Sequence, residues 1–349
     1  MPPVTGPRRL VVDLAAVAPV WRLPPWAADA LRAGTPEGWE ACILDAPTVS
    51  DGDGNDAPSA QAMAAVREAE AYVGFGMPPA LLAAAPELRW VHTGTAGVGS
   101  LRYPALRQRG ALVTNSAGVH AVPIAEFVLA GMLHFLRGLD VATEQQRAAR
   151  WDRAPFVDER SELRELGECQ LLVVGTGGIG TAVAERASAL GASCVGLRRH
   201  PDRPHSPAFA RVAGLDALDD ELPTADILVL AVPLTDHTRA LMTAERLDRL
   251  PAGAIVVNVA RGALVDEAAL VERLAAGALR GAVLDVYERE PLPPESPLWG
   301  QRRALLTPHV SGVSPRRFWE REVALILDNW SRYRSGAPLR NLVDLEAGY

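Results

Sequence analysis

Leu171-Leu172-Val173-Val174-Gly175-Thr176-Gly177-Gly178-Ile179-Gly180 is the stretch on which the reading of the fold turns. Four apolar residues of β character run straight into glycines at 175, 177 and 180, and a helical pattern follows from Ala182 to Leu190. Strand, glycine turn and helix in that order are the setting in which G-x-G-x-x-G holds a dinucleotide. Residues without side chains let a pyrophosphate lie against the N–H groups at the positive end of a helix. Gly178 and Ile179, inside the turn, are candidates for the same contact. A merely structural turn is the bland alternative, and the further strand–helix units downstream weigh against it.

Working outward, apolar runs near 193–197, 227–232, 255–259, 282–285 and 305–307 read as strands with helices between them. One such helix is Glu267 to Ala276, which Asp266 can N-cap. On the N-terminal side, Leu10–Leu14, Ala41–Leu44, Ala71–Phe75, Leu88–Thr93 and Ala111–Thr114 read as short strands, with helices at Trp26–Ala33 and Pro79–Ala85. Asp51 to Ala57 is a polar surface loop by composition. Val122 to Leu139 is a long apolar helix, and the polar stretch Asp140 to Glu165 reads as an arm or linker rather than core. Arg316 to Arg334 is an amphipathic last helix, ending at Ser335-Gly336. Strand and helix alternating in this way predict an α/β protein built on doubly wound parallel sheets.

The chain has 349 residues, and at roughly 150 residues per domain that suggests two domains. Hydrophobic residues at 48% and charged residues at 22% are enough for a sizeable core and exclude disorder as the main state. All 35 basic residues are Arg, so Schiff-base chemistry, a P-loop lysine and a lysine general base are excluded. With 42 acidic residues the net charge is −7, which argues against a nucleic-acid partner. Cys42, Cys169 and Cys194 are odd in number and far apart, so neither a disulfide framework nor a zinc ribbon is encoded, and no metal is expected. No run of ~18 uncharged apolar residues offers a membrane span, and the apolar run after Arg8-Arg9 is too short for a secretory segment. A cytoplasmic location is the expectation.

Three places carry chemistry. The strand ending at Leu197 leads into Arg198-Arg199-His200, where an acidic residue would hold the ribose 2′-hydroxyl of NAD. Two guanidiniums there suit a 2′-phosphate instead, so NADP is expected, with NAD still possible. Arg261 follows the buried run Ile255–Val259, and ligands of open parallel sheets bind outside the strand C-termini; a fixed cation there suits a carboxylate, although taken alone Arg261 reads as a surface arginine. His309, after Leu305-Leu306-Thr307-Pro308, lies at a comparable strand end. Imidazole is the natural proton donor near neutral pH, and a carboxylate such as Glu290 would orient it and raise its pKa.

Taken together, GTGGIG at 175–180, ADILVLAVPLTDHTRAL at 225–241, NVARGALVDEAAL at 258–270, LDVYEREPLPPESPLW at 284–299 and TPHVSG at 307–312 make the chain resemble the D-isomer-specific 2-hydroxyacid dehydrogenases over almost its whole length. The resemblance implies two Rossmann-like domains with the active site in the cleft between them. One is a discontinuous substrate domain of 1–115 with 310–349, and the other a dinucleotide-binding domain of 116–309. It implies that Arg261 binds the substrate carboxylate and carbonyl, that His309 is the general acid/base, and that Glu290 rather than Glu288 is its partner. It also implies substrate-carboxylate contacts from the backbone of Thr95-Ala96-Gly97-Val98, although Gly99 replaces the family's usual Asp. Cofactor contacts are implied for Val232, Pro233, Thr238, Val259, Ala260 and Asp285. The segment Asn115–Glu126 resembles the lead into the interdomain helix, with Pro123 where Ser or Thr is commoner.

The basic strand tip resembles the NADP-using glyoxylate/hydroxypyruvate reductase branch, whose substrates are small 2-ketoacids or 2-hydroxyacids. The family is usually a homodimer, and Val122–Leu139 with the polar arm is the implied contact. Two other readings remain open from sequence: an NAD-linked dehydrogenase working oxidatively, and a non-catalytic, corepressor-like nucleotide sensor.

Overall fold

The computed structural model describes residues 7–46, 57–101, 103–159 and 161–346, so most of the polar loop expected at Asp51–Ala57 lies outside the described residues. The chain divides into two compact units, Met1–His120 with Val313–Tyr349, and Ala121–Gly312. Residues 116–120 and 310–312 thus fall on the opposite sides of the boundaries expected from the sequence.

The first unit is built on β1 (Arg8–Asp13), β2 (Trp39–Ile43), β3 (Ala69–Gly74), β4 (Trp90–Thr93) and β5 (Leu112–Asn115). All pair in parallel, in the order β2-β1-β3-β4-β5. This is the 2-1-3-4-5 doubly wound order, with its reversal between β1 and β3. Successive strand residues feed opposite faces. Leu10, Val12, Ala71, Val73 and Trp90 pack toward the last helix, Arg317–Ser335, whereas Val11, Tyr72, Val91 and Val113 pack on the other side. That helix ends as its sequence predicts, with Gly336 in the left-handed region at φ 70°.

The second unit holds β6 (Gln170–Val174), β7 (Ser193–Arg198), β8 (Arg211–Gly214), β9 (Ile227–Leu230), β10 (Ala254–Asn258), β11 (Leu279–Leu284) and β12 (Ala304–Leu306). They form one parallel sheet in the order β12-β11-β10-β9-β6-β7-β8. The order reverses between β6 and β9, and that crevice is where a doubly wound sheet takes its ligand. Burial on both faces explains why these strands read as continuous apolar runs. Leu172 and Val174 enter one core layer, Leu171 and Val173 the other, and all four are fully buried. Each such side chain contributes on the order of 1.5–3 kcal/mol before chain entropy is counted. The sequence misses β8, whose residues are only half-buried at the sheet edge.

The polar stretch expected to be a loose arm is anchored in its first part. The helix Ala121–Leu136 stops, Gly138 takes φ 66°, and a new helix runs Leu139–Arg147 at 72° to the first. The Asp140 carboxylate accepts two hydrogen bonds of 2.8 Å from Arg280 on β11, whose side chain is only 6% exposed. Arg280 also donates to the Phe135 carbonyl at 2.7 Å. A counter-ion 140 residues away ties a polar segment to the sheet, which local composition cannot show. Among the described residues no single helix is long and apolar enough to cross a membrane.

Candidate active site

The glycine turn sits at the β6/β9 crevice. Gly175 has φ 103°, and a Cβ there would run into the Ala231 backbone. A Cβ on Gly180 would strike the Gly175 carbonyl, whereas one on Gly177 would project into open space. The turn therefore closes tightly on the next strand and leaves its outer side unobstructed. The helix Gly178–Ala189 starts there with no side chain capping its first N–H groups, and Gly177 and Gly178 are exposed. Uncapped amides behind a side-chain-free turn fit a pyrophosphate.

Two nearby segments are braced by the protein itself. Thr238, buried, donates to the Pro233 carbonyl at 2.7 Å and accepts from the Thr235 N–H at 2.8 Å, fixing the turn after Val232. Val232, Val259 and Ala260 are buried, and Pro233 is exposed. At the tip of β7, Arg198 folds back, donating to the carbonyls of Pro201 (3.3 Å) and Pro204 (3.2 Å). It shapes the loop that carries Arg199.

The three residues with the richest chemistry lie at the C-terminal ends of β10, β11 and β12. Arg261 follows β10 in an extended conformation and is half-buried. Its turn is clipped by Asn258, which is 1% exposed. The Asn258 amide donates to the Arg261 carbonyl at 2.9 Å, and its oxygen accepts from the Ala260 N–H at 3.1 Å. The next residue, Gly262, lies so close to the Tyr287–Glu288 backbone that any Cβ would overlap it.

The loop after β11 is pinned by Tyr287, whose hydroxyl donates toward the Leu284 (3.1 Å) and Thr307 (2.9 Å) carbonyls. Burial pushes that phenol up to about 12, which keeps it a donor. The loop carries Glu290, whose Oε1 accepts from the Tyr287 N–H at 3.0 Å and whose Oε2 meets Nδ1 of His309 at 2.8 Å. Glu288 is exposed and does not take part in this contact.

His309 has φ 53°, in the left-handed region that a residue with a Cβ seldom adopts. Asp285, 1% exposed at the end of β11, supplies the restraint. It accepts from the Thr307 hydroxyl (2.6 Å) and from the N–H groups of Val310 (2.8 Å) and Ser311 (2.9 Å). Both flanks of His309 are thus held by one buried carboxylate. The hydrogen bond that the ring donates to Glu290 raises the imidazole pKa against the opposing effects of desolvation and the Arg261 charge, and Asp285 adds to the rise. Burial would push the Glu290 carboxyl up, but the hydrogen bonds from His309 and Tyr287 outweigh it and hold the group below its usual range. Both shifts favour the imidazolium–carboxylate form of the pair, and the contact through Nδ1 leaves Nε2 for other partners.

In the other unit, the loop after β4 presents Ala96 exposed, Gly97 half-buried and Val98 buried. The carbonyls of Thr95, Ala96 and Gly97 are taken by the Ser116 N–H (3.0 Å), the Asn115 amide (2.7 Å) and the Thr95 hydroxyl (2.8 Å). The N–H groups of Ala96, Gly97 and Val98 have no acceptor among the described residues. Consecutive unpaired amides on an otherwise tied loop suit an anion.

Sequence reasoning passed over Asn258, Tyr287, Thr307 and Asn115, which touch the working groups rather than do the chemistry. A polar residue closing an apolar strand, as Asn258 does, was the available signal. Among the described residues no cluster of three His, Cys, Asp or Glu side chains is arranged to hold a metal ion.

Comparison with known proteins agrees with this geometry. The family model described as D-isomer specific 2-hydroxyacid dehydrogenase, NAD binding domain, matches residues 129–311. A glyoxylate/hydroxypyruvate reductase B of Pectobacterium carotovorum subsp. carotovorum is 33% identical over 285 residues, 80% of this chain and 87% of that protein. An (S)-sulfolactate dehydrogenase of Chromohalobacter salexigens is 34% identical over 238 residues, 67% of this chain and 74% of that one. Among solved structures, a D-isomer specific 2-hydroxyacid dehydrogenase from Xanthobacter autotrophicus Py2, in complex with NADPH and MES, superposes with a TM-score of 0.77. Its identity is 32%, and the match covers 97% of this chain and 100% of that one.

Proposed function

The chain belongs to the D-isomer specific 2-hydroxyacid dehydrogenase family, and we propose that it works as an NADPH-dependent reductase of a small 2-ketoacid of the glyoxylate/hydroxypyruvate type. Membership makes it an oxidoreductase acting on the CH–OH group of 2-hydroxyacids with a nicotinamide cofactor. The observation that carries the catalytic, reductive part of this reading is the 2.8 Å Glu290–His309 contact on a residue held at φ 53°. A nucleotide sensor needs no such proton donor, and the raised imidazole pKa favours the state that reduction requires.

The turn at Gly175, Gly177, Gly178, Ile179 and Gly180 would hold the pyrophosphate, and Val232, Pro233, Thr238, Val259 and Ala260 the remainder of the dinucleotide. When bound, the reduced nicotinamide supplies hydride equivalents. Arg199, on the loop that Arg198 shapes, is assigned to the 2′-phosphate because a guanidinium matches phosphate oxygens in two directions. Arg261 takes the substrate carboxylate and polarises its carbonyl, while the amides of Ala96, Gly97 and Val98 take the carboxylate. His309 then gives the proton on Nε2 to the developing alkoxide, and Glu290 stays ionised and holds the ring through Nδ1. The substrate-binding domain is assigned to 1–120 with 313–349 and the dinucleotide-binding domain to 121–312.

A homodimer through the second unit belongs to the same proposal, since it leaves Trp151 92% and Val157 65% exposed. The test is NADPH and NADH oxidation assayed against glyoxylate, hydroxypyruvate, pyruvate and phenylpyruvate. Turnover with NADPH and glyoxylate or hydroxypyruvate is expected. Turnover with NADH alone, or with phenylpyruvate alone, would overturn the finer assignment.

A further inference from the structure

A carboxylate lies buried in the first unit without an evident job. Glu322 belongs to the helix Arg317–Ser335, on the face that also carries Phe318, Trp319, Val323, Ile326 and Trp330, and its side chain is fully buried. An apolar residue would serve packing at least as well. Exchanging buried ionic groups for well-packed apolar ones is often neutral or stabilising, whereas a carboxylate in that setting carries a desolvation cost. The cost is real here, because Oε2 of Glu322 has no hydrogen-bond partner. Stability alone does not account for the residue.

The other oxygen shows what it touches. Oε1 of Glu322 accepts from the Ser116 hydroxyl at 2.9 Å and meets Nε2 of His92 at 3.2 Å. Ser116 and His92 are fully buried as well. The Ser116 hydroxyl is also 2.9 Å from the Thr93 carbonyl, and its backbone N–H holds the Thr95 carbonyl at 3.0 Å. On the far side of the ring, Nδ1 of His92 meets the Thr114 hydroxyl at 2.8 Å, and the Trp90 indole N–H donates to that same hydroxyl at 2.9 Å. The cluster thus joins the helix to β4 and β5, and through Ser116 it reaches the C-terminal end of β4, where the 95–98 loop begins.

A peptide plane carries its C=O and the next N–H on opposite sides. Holding the Thr95 carbonyl on the Ser116 side therefore aims the Ala96 N–H the other way. The two following planes are fixed in the same sense through the Ala96 and Gly97 carbonyls. We propose that Glu322 is a positioning residue for the anion-binding amides of Ala96–Val98, acting through Ser116 on the Thr95–Ala96 peptide plane. The proposal rests on the reading that those amides receive the substrate carboxylate.

Glu322→Leu removes the acceptor while roughly keeping the volume, and Ser116→Ala removes the link. Either variant should raise the KM for glyoxylate or hydroxypyruvate about three- to tenfold, the effect of losing one buried hydrogen bond. kcat and the Kd for NADPH should stay within about twofold, and the double variant should be no worse than the poorer single one, because both break one path. Gly97→Pro, which deletes an amide N–H outright, tests the underlying reading separately. If it raises KM while Glu322→Leu and Ser116→Ala change only the melting temperature, the positioning role is overturned and the loop assignment stands. If Gly97→Pro leaves KM unchanged, both fall. Should Glu322→Leu fail to fold, Ser116→Ala alone decides.

Discussion

Replacing Glu290 by Gln alters one atom, and the contacts around it dictate how. In the wild-type pair Oε1 accepts from the Tyr287 N–H at 3.0 Å and Oε2 accepts from Nδ1 of His309 at 2.8 Å. The Tyr287 N–H can only donate, so it claims the single oxygen of Gln. The amide NH2 then faces Nδ1, which can meet it only as an acceptor, and the neutral ring becomes the favoured state. A hydrogen bond to a charged partner is worth about 1.5–3 kcal/mol when shielded. The His309 side chain is 42% exposed, so solvent screening brings the lower end into force, about one pH unit of imidazole pKa.

Reduction needs His309 protonated, so its kcat/KM falls as pH rises through this pKa, and the raised wild-type value extends the active range above the ordinary 6.5. The falling limb of the Glu290→Gln profile should move down by about one unit. Oxidation, which needs an unprotonated Nε2, should also weaken, because the favoured tautomer carries its proton there. Steady-state pH profiles in both directions check this. A reduction limb that stays put in the variant would show that Glu290 does not set the state of His309.

Arg261→Lys keeps the charge but loses the planar fork, and should lower kcat/KM for the ketoacid by about two orders of magnitude with NADPH binding unchanged, measured by titration and steady-state kinetics. Arg199→Ala should cost about 1.5–3 kcal/mol in kcat/KM with NADPH and much less with NADH; Arg198→Ala, which unties the loop from Pro201 and Pro204, should weaken both cofactors alike. Asp140→Ala removes two hydrogen bonds from the buried Arg280 guanidinium, leaving it the Phe135 carbonyl and the longer Glu162 contact at 3.5 Å, and should destabilise the second unit by about 1.5–3 kcal/mol, read from denaturant melts. Gly262→Ala forces the Arg261 turn off the Tyr287–Glu288 backbone and should cut turnover severely while the glycine turn at 175–180 still binds NADPH.

The strands of the second unit were legible because burial on both faces makes each an unbroken apolar run, as at Leu171–Val174 and Ile255–Val257. The edge strand Arg211–Gly214 escaped because one open side removes that signature. The first unit's order, 2-1-3-4-5, was not readable from strand positions, since pairing is decided by which crossovers pack helices on which face. The helix Leu139–Arg147 looked like a linker because its decisive partner, Arg280, is distant in sequence and a lone arginine in a strand carries no visible address.

The working residues were legible as types at strand ends, but their division of labour was not. Asp285 and Glu290 stand five positions apart after the same strand, and the family resemblance implied a cofactor contact for the first. The structure gives the two carboxylates separate tasks. Glu290 spends one oxygen on the imidazole and so governs its proton. Asp285 spends both oxygens on Thr307, Val310 and Ser311, and so governs the backbone on which the imidazole is mounted. A φ of 53° at His309 costs of order 1–3 kcal/mol, and three hydrogen bonds to a buried carboxylate are enough to offset it. The histidine is thereby held in a backbone conformation that a residue with a Cβ seldom adopts, and from it the ring reaches Glu290. Proton state and ring placement are set by different side chains, so each is open to substitution without the other.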